Sequence, residues 1–333
     1  MLEPKRLSFV FLPLLLAIRC GGSTEPGADA GSDASPADAG KDVTTSDGGK
    51  DAAPDAPADA TLDSPADAPA DATLDSPADA PADAPADAPV DVDAGAIASI
   101  SGLVLWLDAG KGVTTNGAAI TAWADQSTQG NDAAPGTAGP TFVASSIASR
   151  PAAHFVAASA QFVTIADAAS LQFGTGDFTI AVVAKFDNDP SGGPTTGRGA
   201  LYTKYGPQSG LLFLANDIDF QNPQQVVAGL CNIENPTTEV QYASAYNDGT
   251  ARLYEVQRAS GAEVLRVGGS QVASSTSAVD VSEPGSPVEI GYMSNAPGAA
   301  LDGDVAEVIA VKGTLASGDL AAIESYLKSK YAL

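Results

Sequence analysis

The amino-acid sequence predicts an all-β sandwich or barrel, closed by one C-terminal helix and preceded by a long disordered tether. Three observations predict it. Residues 177–186 alternate large apolar and smaller residues with period two. Short apolar runs recur from residue 103 onward with turn chemistry between them. The stretch before residue 98 is rich in Ala, Asp and Pro and almost lacks bulky side chains.

The clearest strand is 177–186. Phe178, Ile180, Val182, Ala184 and Phe186 share one face; Thr179, Ala181, Val183 and Lys185 share the other. Such alternation with β-branched and aromatic residues is the strand signature. Each large side chain stabilises by about 1.5–3 kcal/mol when buried. Residues 103–108, LVLWLD, are apolar on both faces. Shorter candidates follow at 199–204, 210–215, 239–245, 251–257, 263–267, 270–273 and 287–292. Asn247-Asp248-Gly249, Gly268-Gly269 and Pro284-Gly285 supply the turns. Many short strands with little helix indicate a sandwich or barrel. Residues 304–311, DVAEVIAV, end the strands. A helix over 319–331 follows, with Ser317 as its expected N-cap and Leu320, Ile323 and Leu327 at helical spacing on its apolar stripe.

The chain has 333 residues and a formal charge of −25. Residues 21–97 hold 18 of its 41 acidic residues and two of its 16 basic ones. This balance excludes the basic footprint of nucleic-acid binding. Residues 98–333 are long enough for one large core, and no second linker interrupts them. Cys20 and Cys231 are the only cysteines, too few for a disulfide framework or a Cys-rich zinc site. Cys231, in the apolar run 226–231, reads as a small buried strand residue.

The tether, 21–97, carries a twelve-residue unit: APADATLDSPAD at 56–67 repeats at 68–79. It is no solenoid repeat, since Leu62 and Leu74 cannot build a core. Acids every four residues repel one another, and the periodic proline removes a backbone donor and disfavours helix. An extended, polyproline-II-biased coil follows, reaching at most ~230 Å at about 3.1 Å per residue. It reads as a spacer, or as a neutral repeat expansion.

Residues 1–20 read as a signal peptide. Lys5 and Arg6 precede a largely apolar run at 7–18 that is too short to span a bilayer. No later stretch is long and apolar enough for a transmembrane helix. Cys20-Gly21-Gly22-Ser23 after that run resembles a bacterial lipoprotein signal, in which the cysteine is acylated. Arg19 stands where that family has a small residue. The resemblance implies lipidation at Cys20 and an exported protein at the cell envelope or outer surface, touching membrane only through the lipid. The other reading is a secreted protein cleaved near Cys20.

A second resemblance covers nearly all of 98–333. Leu105-Trp106-Leu107-Asp108-Ala109, Trp123-Ala124-Asp125-Gln126-Ser127, Gly130-Asn131-Asp132-Ala133 and Arg150-Pro151 follow one another. That series resembles bacterial concanavalin A-like lectin/glucanase domains of the laminin G-like type. The stretch LRVGGSQVASS at 265–275 is similar to their "LYVNG" hairpin, and 301–327, with Gly303, Glu307 and the closing helix, to their C-terminal end. The resemblance implies a two-sheet antiparallel jelly roll. It constrains function little, because the fold hosts lectins, adhesion modules and glycosidases.

Glucanases of this fold use a strand motif of the form E-x-D-x-x-E. Asp302, Asp304 and Glu307 have that spacing, with an aspartate first. Retaining chemistry needs two carboxyls about 5–5.5 Å apart. Without a bulge, Glu307 points away from Asp302 and Asp304, so no catalytic residue is assigned. Glu307 then shares a face with Val305, Ile309 and Val311, which implies a buried carboxylate paired with a backbone amide or an arginine, or else a ligand acid. The single histidine, His154, reads as partly buried and structural. Calcium is common among the family's members. Asp187 and Asp189, with Asn188 and Gly192-Gly193 in one loop, are the candidate calcium ligands, and Asp217 with Asp219 a second pair. Both pairs also read as turn formers. Trp106 and Trp123 read as core; Tyr202, Tyr205, Tyr242 and Tyr246 are the candidates for an exposed face.

The expected function is a non-catalytic surface binding module for a glycan or an extracellular protein. The alternatives are a divergent glycoside hydrolase of the same fold and a structural envelope protein. No cofactor other than calcium is expected.

Overall fold

The computed structural model describes residues 94–187, 199–206, 210–219, 222–232, 235–244, 246, 248–294 and 299–333. Cys20 and the tether before 94 lie outside them, as do Asn188, Asp189 and Gly192-Gly193.

A short helix α1 (Ala94–Ala98) buries Ile97 fully, so the folded body starts earlier than residue 98. β1 (Leu103–Asp108) is buried along its whole length, as its two-faced apolar sequence demands. β2 (Val113–Asn116) and β3 (Ala119–Trp123) form a hairpin. Then come β4 (Ala133–Pro135), β5 (Thr141–Ile147), β6 (Arg150–Phe155) and β7 (Val163–Ile165). β8 (Phe178–Phe186), β9 (Gly199–Tyr205), β10 (Gly210–Asp219), β11 (Asn222–Asn232) and β12 (Asn235–Ala243) follow. Cys231 lies in β11. β13 (Ala251–Ala259), β14 (Ala262–Val267), β15 (Ser270–Thr276), β16 (Val288–Ile290) and β17 (Gly303–Lys312) complete the strands before α2 (Ser317–Tyr331).

All pairings between these strands are antiparallel. One layer runs β1–β17–β8–β13–β14–β15. β6 pairs with the start of β17, at residues 303–305, beyond the reach of β1. The other layer runs β4–β7–β16–β9–β10–β11–β12. β3 and β5 join the layers at one edge. This is the expected all-β sandwich, with the single long helix among the described residues at the C-terminus.

The layers enclose a core that takes Phe178, Ile180, Val182, Ala184 and Phe186 from β8, the face the alternation predicts. Ala181 and Val183, on the opposite face, enter a second core beneath α2 with Trp106, Ile323 and Leu327. Burial on both faces explains why β8 carries so few polar residues. Ser317 is not the N-cap: Ala316 holds that place with no side-chain cap, and Ser317 is the first helical residue.

β17 departs from simple alternation. Its pairing with β8 slips between Val305 and Glu307, leaving Ala306 as an extra residue. Val305, Val308 and Ala310 therefore face the inter-layer core, while Ala306, Ile309 and Val311 face the helix. Glu307 shares a face with Ile309 and Val311 but not with Val305, which corrects the expectation from uninterrupted alternation.

Candidate functional site

The bulge brings Asp304 and Glu307 to the same face of β17, yet to different surroundings. Glu307 is fully buried under α2. Its Oε1 accepts the indole N–H of Trp106 at 2.6 Å; its Oε2 accepts Lys330 Nζ at 2.8 Å and the Tyr331 hydroxyl at 2.8 Å. Lys330 also reaches Asp108 Oδ2 at 2.7 Å and Tyr326 OH at 2.9 Å. Burial, and then the charge of Asp108, push the Glu307 carboxyl above its ordinary range, against the pull of Lys330. The paired-carboxylate expectation holds in substance, but the partners are a tryptophan, a lysine and a tyrosine rather than an arginine or a backbone amide. Two acids flank one lysine here, and both are buried.

The remaining acids of the motif meet other sequence-selected residues at the end of β17. Asp304 pairs in register with His154 of β6 on one side and Lys185 of β8 on the other. His154 Nδ1 lies 3.0 Å from Asp304 Oδ1, and Lys185 Nζ lies 2.6 Å from Asp304 Oδ2. Ser146 Oγ donates to the same Oδ2 at 2.8 Å. Asp187, just past β8, continues the ladder by donating its N–H to the Asp302 carbonyl at 3.0 Å. Donor atoms of His154, Asp187 and Asp304 all lie within 4.8 Å of one another. Burial, then Asp304, raise the Asp187 carboxyl above its usual range. Asp302 Oδ1 accepts the Ala157 N–H at 2.9 Å. Asp187 thus belongs with β6 and β17; its expected companion Asp189 lies outside the described residues, as do the side chains of Asp217 and Asp219.

β1 carries the family-like opening along the rim of its layer. Asp125 accepts from Trp106 N, Ser127 N, Ser127 Oγ and Asn131 N, at 2.6–2.9 Å. Gln126 N–H donates to Trp106 O at 2.7 Å, and Asn131 Nδ2 to Val104 O at 2.7 Å. The loop after β3 therefore satisfies the free edge of β1 as a neighbouring strand would. Beside it opens a groove of ≈ 380 Å³, lined by Gln126, Ser127, Gln129, Ser170, Lys312 and Ile100. Its volume falls within the range of small-ligand sites. Its lining residues include the amide- and hydroxyl-bearing Gln126, Ser127, Thr128, Gln129 and Ser170 and one cation, Lys312.

Trp106 and Trp123 are core, as expected. The tyrosines are not an exposed platform: Tyr202, Tyr205 and Tyr246 are buried, and Tyr242 packs against the main core. Their strand phase became readable only from the partner strands.

No family model and no curated protein matches the chain. Among solved structures it is similar to the binding domain of Paraclostridial Mosquitocidal Protein 1, with TM-score 0.53 and 13% identity over 68% of this chain and 52% of that one. It is similar also to domain 4 of AbnA, a GH43 extracellular arabinanase from Geobacillus stearothermophilus, solved in complex with arabinotriose: TM-score 0.50, 11% identity, 68% of this chain and 99% of that one. The botulinum neurotoxin serotype G binding domain gives TM-score 0.50 and 10% identity over 68% and 51%. The chain spans about half the length of the two toxin domains. At these identities the likeness defines the fold alone, a β-sandwich that also serves in toxin binding domains and in an arabinanase.

Proposed function

We propose that the protein is a non-catalytic binding module of the concanavalin A-like kind, displayed at the cell envelope on its acidic tether, 21–97, and anchored through Cys20. One observation carries the reading: Glu307 and Asp304, the motif acids that the bulge puts on one face, are buried and tied, Glu307 to Lys330 and Asp304 to Lys185 and His154. A carboxylate that a sugar cannot reach cannot protonate a glycosidic oxygen. The amide and hydroxyl lining of the groove beside β1 favours a glycan over an extracellular protein, because such groups match sugar hydroxyls as donors and acceptors. The charge of −25 supports a partner other than nucleic acid.

The test is a binding screen of the full chain against immobilised glycans and extracellular matrix proteins, run beside a glucan hydrolysis assay. Glycan binding that weakens in Gln126→Ala or Gln129→Ala is the expected result. Hydrolysis of any glycan, or retention of matrix protein alone, overturns it.

A further inference from the structure

We infer that His154, Asp187 and Asp304 form a binding site for a divalent transition-metal ion of the zinc type. The site is built on the sheet. β6, β17 and β8 lie side by side, so the register sets His154 and Asp304 directly opposite each other. Asp187 lies two residues beyond Lys185, the other cross-strand neighbour of Asp304, and so emerges on the same face. Donors held on adjacent strands keep their geometry better than donors on loops.

The donor atoms, within 4.8 Å of one another, surround one point in space. Zinc bonds of about 2.0–2.2 Å place neighbouring ligand atoms roughly 3–3.5 Å apart. The 3.0 Å between His154 Nδ1 and Asp304 Oδ1, a hydrogen bond while the ring nitrogen carries its proton, already matches that spacing, and a metal ion would take the proton's place and release it to water. Asp187 stands past the end of its strand, where a small side-chain movement closes the remainder. No hydrogen bond from a described residue reaches its carboxylate.

The surroundings are organised as an outer shell. Lys185 and Ser146 hold Asp304 by Oδ2, which leaves Oδ1 turned toward the imidazole. The charges of Asp304 and Asp302 both act on the Asp187 carboxylate here, and Lys185 is the one permanently charged cation acting on it among the described residues. A bound dication relieves that repulsion. His154 is 29% exposed at its side chain, so water can complete the coordination sphere.

The imidazole decides the class of metal. Calcium takes six to eight oxygens, whereas one imidazole nitrogen with two carboxylates suits zinc and its neighbours. The ion would pin β6 to β17 and to the residue that opens the loop after β8.

The chain's single histidine makes the test direct. Untagged full-length protein is titrated with zinc alone, and in parallel with calcium alone, while the imidazole resonances are followed by NMR. Zinc is expected to shift them at one equivalent, and calcium to leave them in place. Calorimetry should then show this site weakened more than about tenfold in both His154→Ala and Asp187→Asn, since even outer-shell partners of a metal are worth that much. Weak binding by the acidic tether should be the same in all three proteins. Zinc binding that leaves the imidazole unmoved, or zinc affinity unchanged in Asp187→Asn, overturns the inference. Asp187 lies beyond the strand, and circular dichroism of that variant without metal separates lost ligation from lost fold.

Discussion

Trp106 donates its indole N–H to Glu307 Oε1 at 2.6 Å, which joins the opening strand to a residue 201 positions later. Lys330 adds the closing helix to that junction through Glu307 and Asp108. One buried cluster therefore clips the first strand, the last strand and the last helix together. Its cost is the desolvation of three charged groups, offset only because almost every polar atom has a partner.

Removing one member should expose that cost. Glu307→Ala strands the Trp106 N–H and the Tyr331 hydroxyl and leaves Lys330 with only Asp108 and Tyr326, and should lower stability by about 3–5 kcal/mol. Glu307→Gln keeps an acceptor for the indole and should lose less, about 1–3 kcal/mol. Urea denaturation read by tryptophan fluorescence measures both. Unchanged stability in Glu307→Gln, together with lost ligand binding, would turn Glu307 from a structural acid into a ligand-binding one.

Glu255 makes stability depend on pH in the opposite sense to a surface salt bridge. It is fully buried, its carboxyl oxygens lack hydrogen-bond partners among the described residues, and it faces Arg266, Glu324 and Lys328. Burial, with Glu324 second, pushes its pKa from 4.5 up to about 8. The folded state therefore holds the proton more tightly than the unfolded one. That contribution is complete below pH ~4.5, declines as pH rises, and is gone above about 8. Glu307 shifts in the same direction, so the variant is needed for assignment. Asp167 and Asp248 shift downward, and their contributions are lost only in acid. Unfolding free energy should fall by a few kcal/mol between pH 5 and pH 9 in the wild type. Glu255→Gln should flatten that fall; an equally steep fall in the variant would reject the assignment.

What the sequence disclosed depended on whether one strand sufficed. Phe178–Phe186 could be read face by face because both faces are apolar and its ladder with β17 and β13 has no slip before Ala184. Glu307 could be recognised as a buried acid, but not its companions on the strand. Ala306 is apolar and small, so the bulge that reverses the phase leaves no mark in the pattern. His154, Asp187 and Asp304 each drew notice singly; only cross-strand register unites them. The tyrosines failed as a surface platform because Tyr202 and Tyr246 enter the main core, an arrangement that periodicity does not announce.

The anchor is tested apart from the fold. Growth of the producing cells with a fatty-acid probe should label the wild type and not Cys20→Ser, and the variant should leave the envelope for the medium. Acyl chains hold through about 0.8 kcal/mol per buried CH₂, so losing them should release the protein and not merely weaken its retention. A wild type without label makes the protein a freely secreted one, consistent with Arg19 before the cysteine.

The edge of β1 gives the last prediction. The carboxylate of Asp125 accepts four hydrogen bonds and sets the loop that caps Val104 O and both main-chain groups of Trp106. Asp125→Ala removes all four acceptor contacts and frees the loop. Hydrogen bonds to a charged group contribute about 1.5–3 kcal/mol each, but water recovers part of this at a half-buried site, so a loss of about 2–4 kcal/mol is expected. The freed edge presents an apolar strand, LVLWLD, to other chains. Asp125→Ala should therefore aggregate by light scattering well below its unfolding midpoint, whereas Glu307→Gln, which leaves the edge covered, should unfold before it aggregates. If both variants aggregate only on unfolding, the loop is ornamental to the edge and the family-like residues there serve something else.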